Sequence, residues 1–229
     1  MPGLTDIALG RPRTGTLDSV FVSFGGLTGP GALASLACVW VLAAGCDREP
    51  LAIDCAIPGP GALVVSEIRG PQNGVDGYGE WLELYNASGD TIELTGLRVS
   101  LLTLDGGSET SFALRGDGVT APAGGFVVLG RFPAGEEPAH VDLGYADLYD
   151  RALPGGAALE LEACGDTIDR VIYRSLPSAG TYSLSGDRFP PDGFVNDEET
   201  AWCTDATEDA DTPQQGIRGT PGERNRPCA

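Results

Sequence analysis

Glycine and proline punctuate this 229-residue chain from end to end: 34 Gly and 17 Pro are spread along it rather than gathered into one repetitive tract. Such spacing leaves room only for short elements and is what many strands joined by turns require. The apolar residues between the breaks agree. Leu63-Val64-Val65-Ser66-Glu67-Ile68 reads as a strand, and residues 81–85 alternate, with Leu82 and Leu84 on one face and Trp81, Glu83 and Tyr85 on the other. Ile92 and Leu94, then Leu97, Val99 and Leu101, continue the alternation around Gly96, where a bulge or turn is expected. Residues 111–114 and 126–129 are two further strand candidates. Residues 159–163, a turn through Cys164-Gly165-Asp166-Thr167, and Ile168, Val171 and Tyr173 read as a hairpin, and residues 181–184 are the last strand candidate. No long amphipathic helix stands out. The prediction is an all-β, antiparallel sandwich over residues 62–190, its two inner faces meeting in one core. From Pro190 the chain reads as irregular, so residues 191–229 are expected to be an acidic extension pinned to the sandwich by Trp202.

Residues 31–46 form an apolar run that stops at Cys46 and is followed at once by Asp47, Arg48 and Glu49. It is shorter than the roughly 20 apolar residues a membrane-spanning helix needs and reads as a secretion signal. Its end, Leu42-Ala43-Ala44-Gly45-Cys46, resembles the bacterial lipobox. That resemblance implies a signal peptide over residues 1–45 and Cys46 as a lipidated first mature residue. Several acyl chains anchor firmly where one does not, because each buried methylene contributes about 0.8 kcal/mol. Residues 46–61, with Pro50, Pro58 and Pro60, read as a tether between anchor and domain.

With Cys38 inside the signal and Cys46 lipidated, Cys55, Cys164, Cys203 and Cys228 remain, and four cysteines in an exported chain suggest two disulfides in one of three pairings. The preferred pairing closes the tail through Cys203–Cys228 and ties the tether to a central strand through Cys55–Cys164. Zinc is disfavoured, since the spacings contain no CxxC pair and His140 is the only histidine.

The balance of charge is −19, from 33 acidic against 14 basic residues, and every basic residue apart from the histidine is Arg. A surface of this kind repels phosphate backbones and suits divalent cations or basic partners; nucleic acid, which needs a basic stripe, is not an expected partner.

Several pieces, in order, resemble the lamin-tail domain of bacterial exported proteins. Val65-Ser66-Glu67-Ile68 and Glu80-Trp81-Leu82-Glu83-Leu84-Tyr85-Asn86 are similar to its opening strands, and Gly96-Leu97 and Ala123-Gly124-Gly125-Phe126-Val127-Val128-Leu129 to its middle. Residues 161–171, Asn196-Asp197, Trp202-Cys203 and Gly219-Thr220-Pro221-Gly222-Glu223-Arg224-Asn225 are similar to its closing hairpin and tail. The resemblance covers residues 62–228 and implies an immunoglobulin-like β-sandwich acting as an accessory or interaction module without catalytic residues. No heptad repeat is present, so nothing of the lamin rod is shared.

Read for chemistry, the chain offers little. There is no GxSxG elbow for a Ser–His triad, His140 reads as a solvated loop residue, and the absence of Lys excludes the P-loop and SxxK patterns. Glu80 and Glu83 would have to serve as a glycosidase pair but fall on opposite faces of one strand, where they read as a solvated strand edge. The acids Asp205, Glu208, Asp209 and Asp211 follow Asn196, Asp197, Glu198 and Glu199 on irregular backbone, which is what calcium prefers, although Ala210 and Gly216 stand where an EF-hand loop has Gly and Glu. The expectation is therefore a non-catalytic module without an organic cofactor, anchored in the lipid bilayer through Cys46 and facing the periplasm or the cell exterior. Its expected partner is an envelope protein or a glycan. The alternatives are a calcium-dependent adhesion module and a carboxylate-based hydrolase.

Overall fold

The structure, a computed structural model, describes residues 59–115, 118–208 and 216–229. The chain divides between Leu51 and Ala52, and everything described belongs to the unit Ala52–Ala229. The lipobox run with Cys46, and Cys55, Asp209 and Asp211, lie outside the described residues.

Among the described residues twelve strands follow one another: β1 (Leu63–Arg69), β2 (Trp81–Asn86), β3 (Ile92–Glu93), β4 (Arg98–Leu102), β5 (Glu109–Ala113), β6 (Thr120–Ala121), β7 (Phe126–Gly130), β8 (Leu143–Gly144), β9 (Ala157–Ala163), β10 (Asp166–Tyr173), β11 (Thr181–Leu184) and β12 (Trp202–Asp205). They build a six-stranded sheet in the order β12-β11-β1-β2-β7-β8, a four-stranded sheet in the order β10-β9-β4-β5, and a two-stranded ribbon of β3 and β6. All pairs are antiparallel except β7 with β8. The expected all-β sandwich is thus present.

Its core follows from the alternation. Leu63, Val65, Ile68, Leu82, Leu84, Val127, Leu129 and Leu184 from the larger sheet meet Val99, Leu101, Phe112, Leu159, Leu161, Val171 and Tyr173 from the smaller, all buried in one cluster. Ile92, Leu94 and Ala121 of the ribbon region complete that cluster. Side chains at 63 and 65 point inward, so an unbroken strand would drive Glu67 into this core. A register shift between Val65 and Glu67 prevents it: the bulge at Ser66 turns Ile68 inward and Glu67 outward, directly opposite Glu83 of β2.

The hairpin of β9 and β10 is tighter than the four-residue connection expected. Asp166 pairs with Ala163, leaving only Cys164 and Gly165 in the turn, at φ 54° and 94°. Two positive φ values are what a two-residue hairpin turn demands, and Thr167 then belongs to the strand, with a register shift before Asp169.

The tail after Pro190 is irregular for most of its length, but residues 202–205, which carry no long alternation, form β12 against β11. Trp202 does anchor the tail: it is buried, stacks on Tyr182 at 4.9 Å between ring centroids, and donates its Nε1–H to the Asn196 carbonyl at 2.7 Å. The Cys203–Cys228 disulfide is formed as expected. Cys164 is also disulfide-bonded.

The two sheets differ in what covers them. The outer face of the four-stranded sheet meets solvent, with Arg98, Arg170 and Ile172 exposed along it. The outer face of the six-stranded sheet is covered. Residues 216–228 run back across it as a strap, and Trp81, Val128 and Val141 form a second small core there with Ile217 of the strap. Every residue of β1 and of β2 is consequently buried.

Candidate functional site

Two places bring chemically capable side chains together. The first is a surface depression of about 460 Å³ beside the point where the described chain begins, lined by Pro60, Gly61, Asp169, Arg170, Asp192 and Phe194 among others. Asp192 builds its loop: its Oδ1 accepts from the Phe194 and Val195 N–H groups at 2.9 and 3.2 Å, a local turn that leaves Phe194 84% exposed at the rim. Asp169 forms the floor. Its Oδ2 accepts from the Val65 N–H and from Asn196 Nδ2, both at 2.7 Å, which ties β10 to β1 and to the tail. Gly193 permits this approach, since a Cβ there would stand 3.3 Å from Asp169 Oδ1. Burial pushes the Asp169 carboxyl up to about 7, against the pull of its two donors. Burial also raises the Asp197 carboxyl at the same depression, with Arg170 acting the other way. Asn196 joins these groups to Trp202 through its carbonyl. The quoted motif pieces Asp169, Asn196-Asp197 and Trp202 therefore converge on one corner.

The second place is sealed. Glu67 and Glu83 are cross-strand neighbours with no accessible surface at all. Glu67 Oε1 accepts from Thr181 Oγ1 at 2.6 Å and from Ser183 Oγ at 2.7 Å, and the Thr220 N–H reaches both carboxyl oxygens at 3.2 Å. Glu83 accepts from Ser66 Oγ at 2.7 Å and from the Gly222 N–H at 2.6 Å. The turn Gly219-Thr220-Pro221-Gly222 thus caps the two acids of β1 and β2 with backbone N–H groups. Asn225 Nδ2 completes the docking by donating to the Ser66 and Leu184 carbonyls at 2.8 and 2.9 Å. Burial raises the pKa of both acids, and the charge of Glu67 adds to the rise at Glu83.

The solvated edge expected for Glu80 and Glu83 is not what forms, because β2 lies between β1 and β7 and both of its faces are packed. Glu83 belongs to the sealed pair. Glu80 is buried, accepts from the Leu153 N–H at 2.6 Å and pairs with Arg131 at 3.2 Å. His140 is likewise not solvated: it is buried, its Nε2 donates to the Tyr78 carbonyl at 2.9 Å, and its ring packs edge-on to Trp81 at 5.3 Å. Desolvation lowers its pKa, which suits a neutral packing residue.

Of the four acids considered for calcium, Asp205 is held by Arg226 at 2.8 Å and Glu208 by Arg218 at 3.1 Å. Both carboxylates of that group that lie among the described residues thus have a guanidinium partner. Among the described residues no group of three or more His, Cys, Asp or Glu side chains is placed to hold a metal ion.

The residues that sequence reasoning passed over are Glu67, Asp169 and the N–H groups of the strap. A signal existed for Glu67, the lone acid in a strand that is mostly apolar. In comparisons with known proteins, the chain matches no protein-family model and no curated protein.

Proposed function

We propose that this chain is a non-catalytic binding module of the lamin-tail type, exported and held at a bacterial membrane through Cys46, which contacts an envelope protein or a glycan. The observation that carries the reading is the depression at Asp169, Asp192 and Phe194. An aromatic ring left 84% exposed on a locally braced loop, beside carboxylates, offers a face for a sugar ring or an apolar side chain together with acceptors for hydroxyl or cationic groups. The scaffold beneath it is rigid, since Asp169 and Asn196 are bonded into β1 and the tail. The same geometry weighs against a hydrolase built on Glu80 and Glu83: Glu83 is sealed with Glu67 beneath the strap, and Glu80 is occupied by Arg131 and the Leu153 N–H.

The test is chemical cross-linking on intact source cells, comparing the wild type with Cys46→Ala and Phe194→Ala forms and identifying what each captures. A defined envelope protein or glycan captured by the wild type, and lost from both variants, supports the reading. Equal capture by all three forms sinks both the anchor and the assignment of the face.

A further inference from the structure

The sealed pair of acids contains too few hydroxyl protons for the contacts it makes. Glu67 Oε1, Thr181 Oγ1 and Ser183 Oγ are mutually close, with Thr181 to Glu67 at 2.6 Å, Ser183 to Glu67 at 2.7 Å and Thr181 to Ser183 at 2.8 Å. Each oxygen contact so short requires a proton between its two atoms, and the two hydroxyls supply only two. With both hydroxyls aimed at Glu67 the contact between them is left without a proton; a protonated Glu67 removes the deficit, donating to one hydroxyl, which donates to the other, which donates back to the carboxyl. At Glu83 the Ser66 hydroxyl, with one proton, faces both the Glu83 carbonyl at 3.3 Å and the carboxyl Oε1 at 2.7 Å. If Ser66 donates to the carbonyl, a protonated Glu83 serves the second contact. Among the described residues no Arg is a hydrogen-bond or ion-pair partner of either acid. Two carboxylates directly opposite on neighbouring strands, with no accessible surface, repel strongly if both are charged.

We infer that the segment around residues 217–225 is a proton-dependent latch: a proton held by the Glu67–Glu83 pair keeps it docked on the six-stranded sheet, and loss of that proton loosens it.

The strap is what seals the pair, so it is the element that must yield when the pair needs water. Its fit is close: at Gly219, which sits at φ 106°, a Cβ would stand 2.7 Å from Thr181 Cγ2 and 2.8 Å from Glu67 Oε1. The charged groups around the pair do not supply a substitute for the proton. Asp205 of β12 raises the pKa of Glu67 and is itself taken by Arg226, and Asp142, next to β7 and β8, raises that of Glu83 while accepting from the Val128 N–H. In the strap, Arg218 pairs with Glu208, Arg224 donates to the Gly186 carbonyl and lies over the Phe189 ring, and Glu223 is exposed. The Thr220 and Gly222 N–H groups favour the charged acids, but burial is the largest influence on both and acts the other way. Since the folded-state pKa values are raised, docking is strongest below the ordinary carboxylate range and weakens as pH rises through the raised values. Loosening stays local, because Ile217, packed with Trp81, Val128 and Val141, holds one end and the Cys203–Cys228 disulfide the other.

The test is amide hydrogen exchange of the whole chain, disulfide intact, at about pH 6 and about pH 9, corrected for the intrinsic pH dependence of exchange. In the wild type, protection of the Thr220 and Gly222 amides relative to those of β9 and β10 should fall by about ten-fold or more. In Glu83→Gln it should hold within about three-fold, because the amide keeps the shape, accepts from Gly222 and cannot ionise. Unchanged protection in the wild type, or an equal fall in both proteins, overturns the latch. Should Glu83→Gln fail to fold, the wild type with ¹³C-labelled glutamate decides. A buried carboxyl carbon that titrates in step with the strap amides supports the latch. Two glutamates already ionised at about pH 6, where ordinary carboxyls are charged, overturn it.

Discussion

Both sheets carry charged residues opposite one another on their outer faces, but in contrary settings. On the four-stranded sheet Arg98 faces Glu162 at 3.7 Å and Arg170 faces Glu160 at 3.1 Å, opposite charges at least partly in water. On the six-stranded sheet Glu67 faces Glu83, like charges beneath the strap. In the first setting the ions are comfortable and contribute little, because water already solvates them. In the second the chain has to supply every partner itself, and it does so with three hydroxyls and two backbone N–H groups. A sandwich is usually read as one core between two sheets, yet here the outer face of one sheet is a second, mixed core of Trp81, Val128, Val141 and Ile217 beside buried acids.

The sharpest way to break this comparison is Trp81→Ala. If the covered face is core, the substitution destabilises the protein by about 4 kcal/mol, as removal of a buried indole does elsewhere. A denaturant titration showing a loss below about 1 kcal/mol, the size of a surface effect, would return that face to the surface. Next in size is removal of the Cys203–Cys228 bridge by replacing both cysteines with Ser. Closing a loop of 25 residues' separation is worth about 3 kcal/mol in the chain-entropy model, and the loss should appear in the strap before the four-stranded sheet. Simultaneous loss of protection in both regions would show that the strap is not a separable element.

Asp169 sharpens the comparison at the corner where the two sheets are tied together. Its folded-state pKa of about 7 exceeds the ordinary value of 3.8, so its stabilising contribution is complete below about pH 4 and is lost as pH rises through 7. Asp169→Asn keeps the acceptor for Val65 and Asn196 and should flatten the decline in melting temperature over that range. An unchanged slope would assign the decline to other groups. The smallest expected effect belongs to the open face: Arg170→Ala should cost no more than about 0.5 kcal/mol, since Arg170 is half exposed and water replaces its partner. A cost several times larger would show that this face is also covered, by something bound to it.

Much of the fold was legible because a strand reports its two faces in the parity of its residues. The alternations at residues 81–85 and 159–163 and the apolar run at residues 126–129 were sufficient to place each of those strands. The short strands Thr120–Ala121 and Leu143–Gly144 were not legible, since two residues carry no periodicity, and β12 hid in a stretch whose pairing is supplied by β11. The candidate site was less legible still. Val65, Asp169 and Asn196 come from three separate stretches of chain, and neither alternation nor spacing along the sequence measures their approach.

Composition and periodicity by themselves determined that this chain forms short antiparallel strands around an apolar core, because both signals are local and repeat; the Cys203–Cys228 bridge was one of three possible pairings until the structure showed it. What only the tertiary structure decided is which polar face stays in water. Glu83 and Glu160 occupy the same kind of position, an acid alternating with leucines, and nothing along either strand separates them. The difference is made by the strap, 139 residues away from Glu83 at the Gly222 contact, whose return across one sheet replaces water by backbone N–H groups.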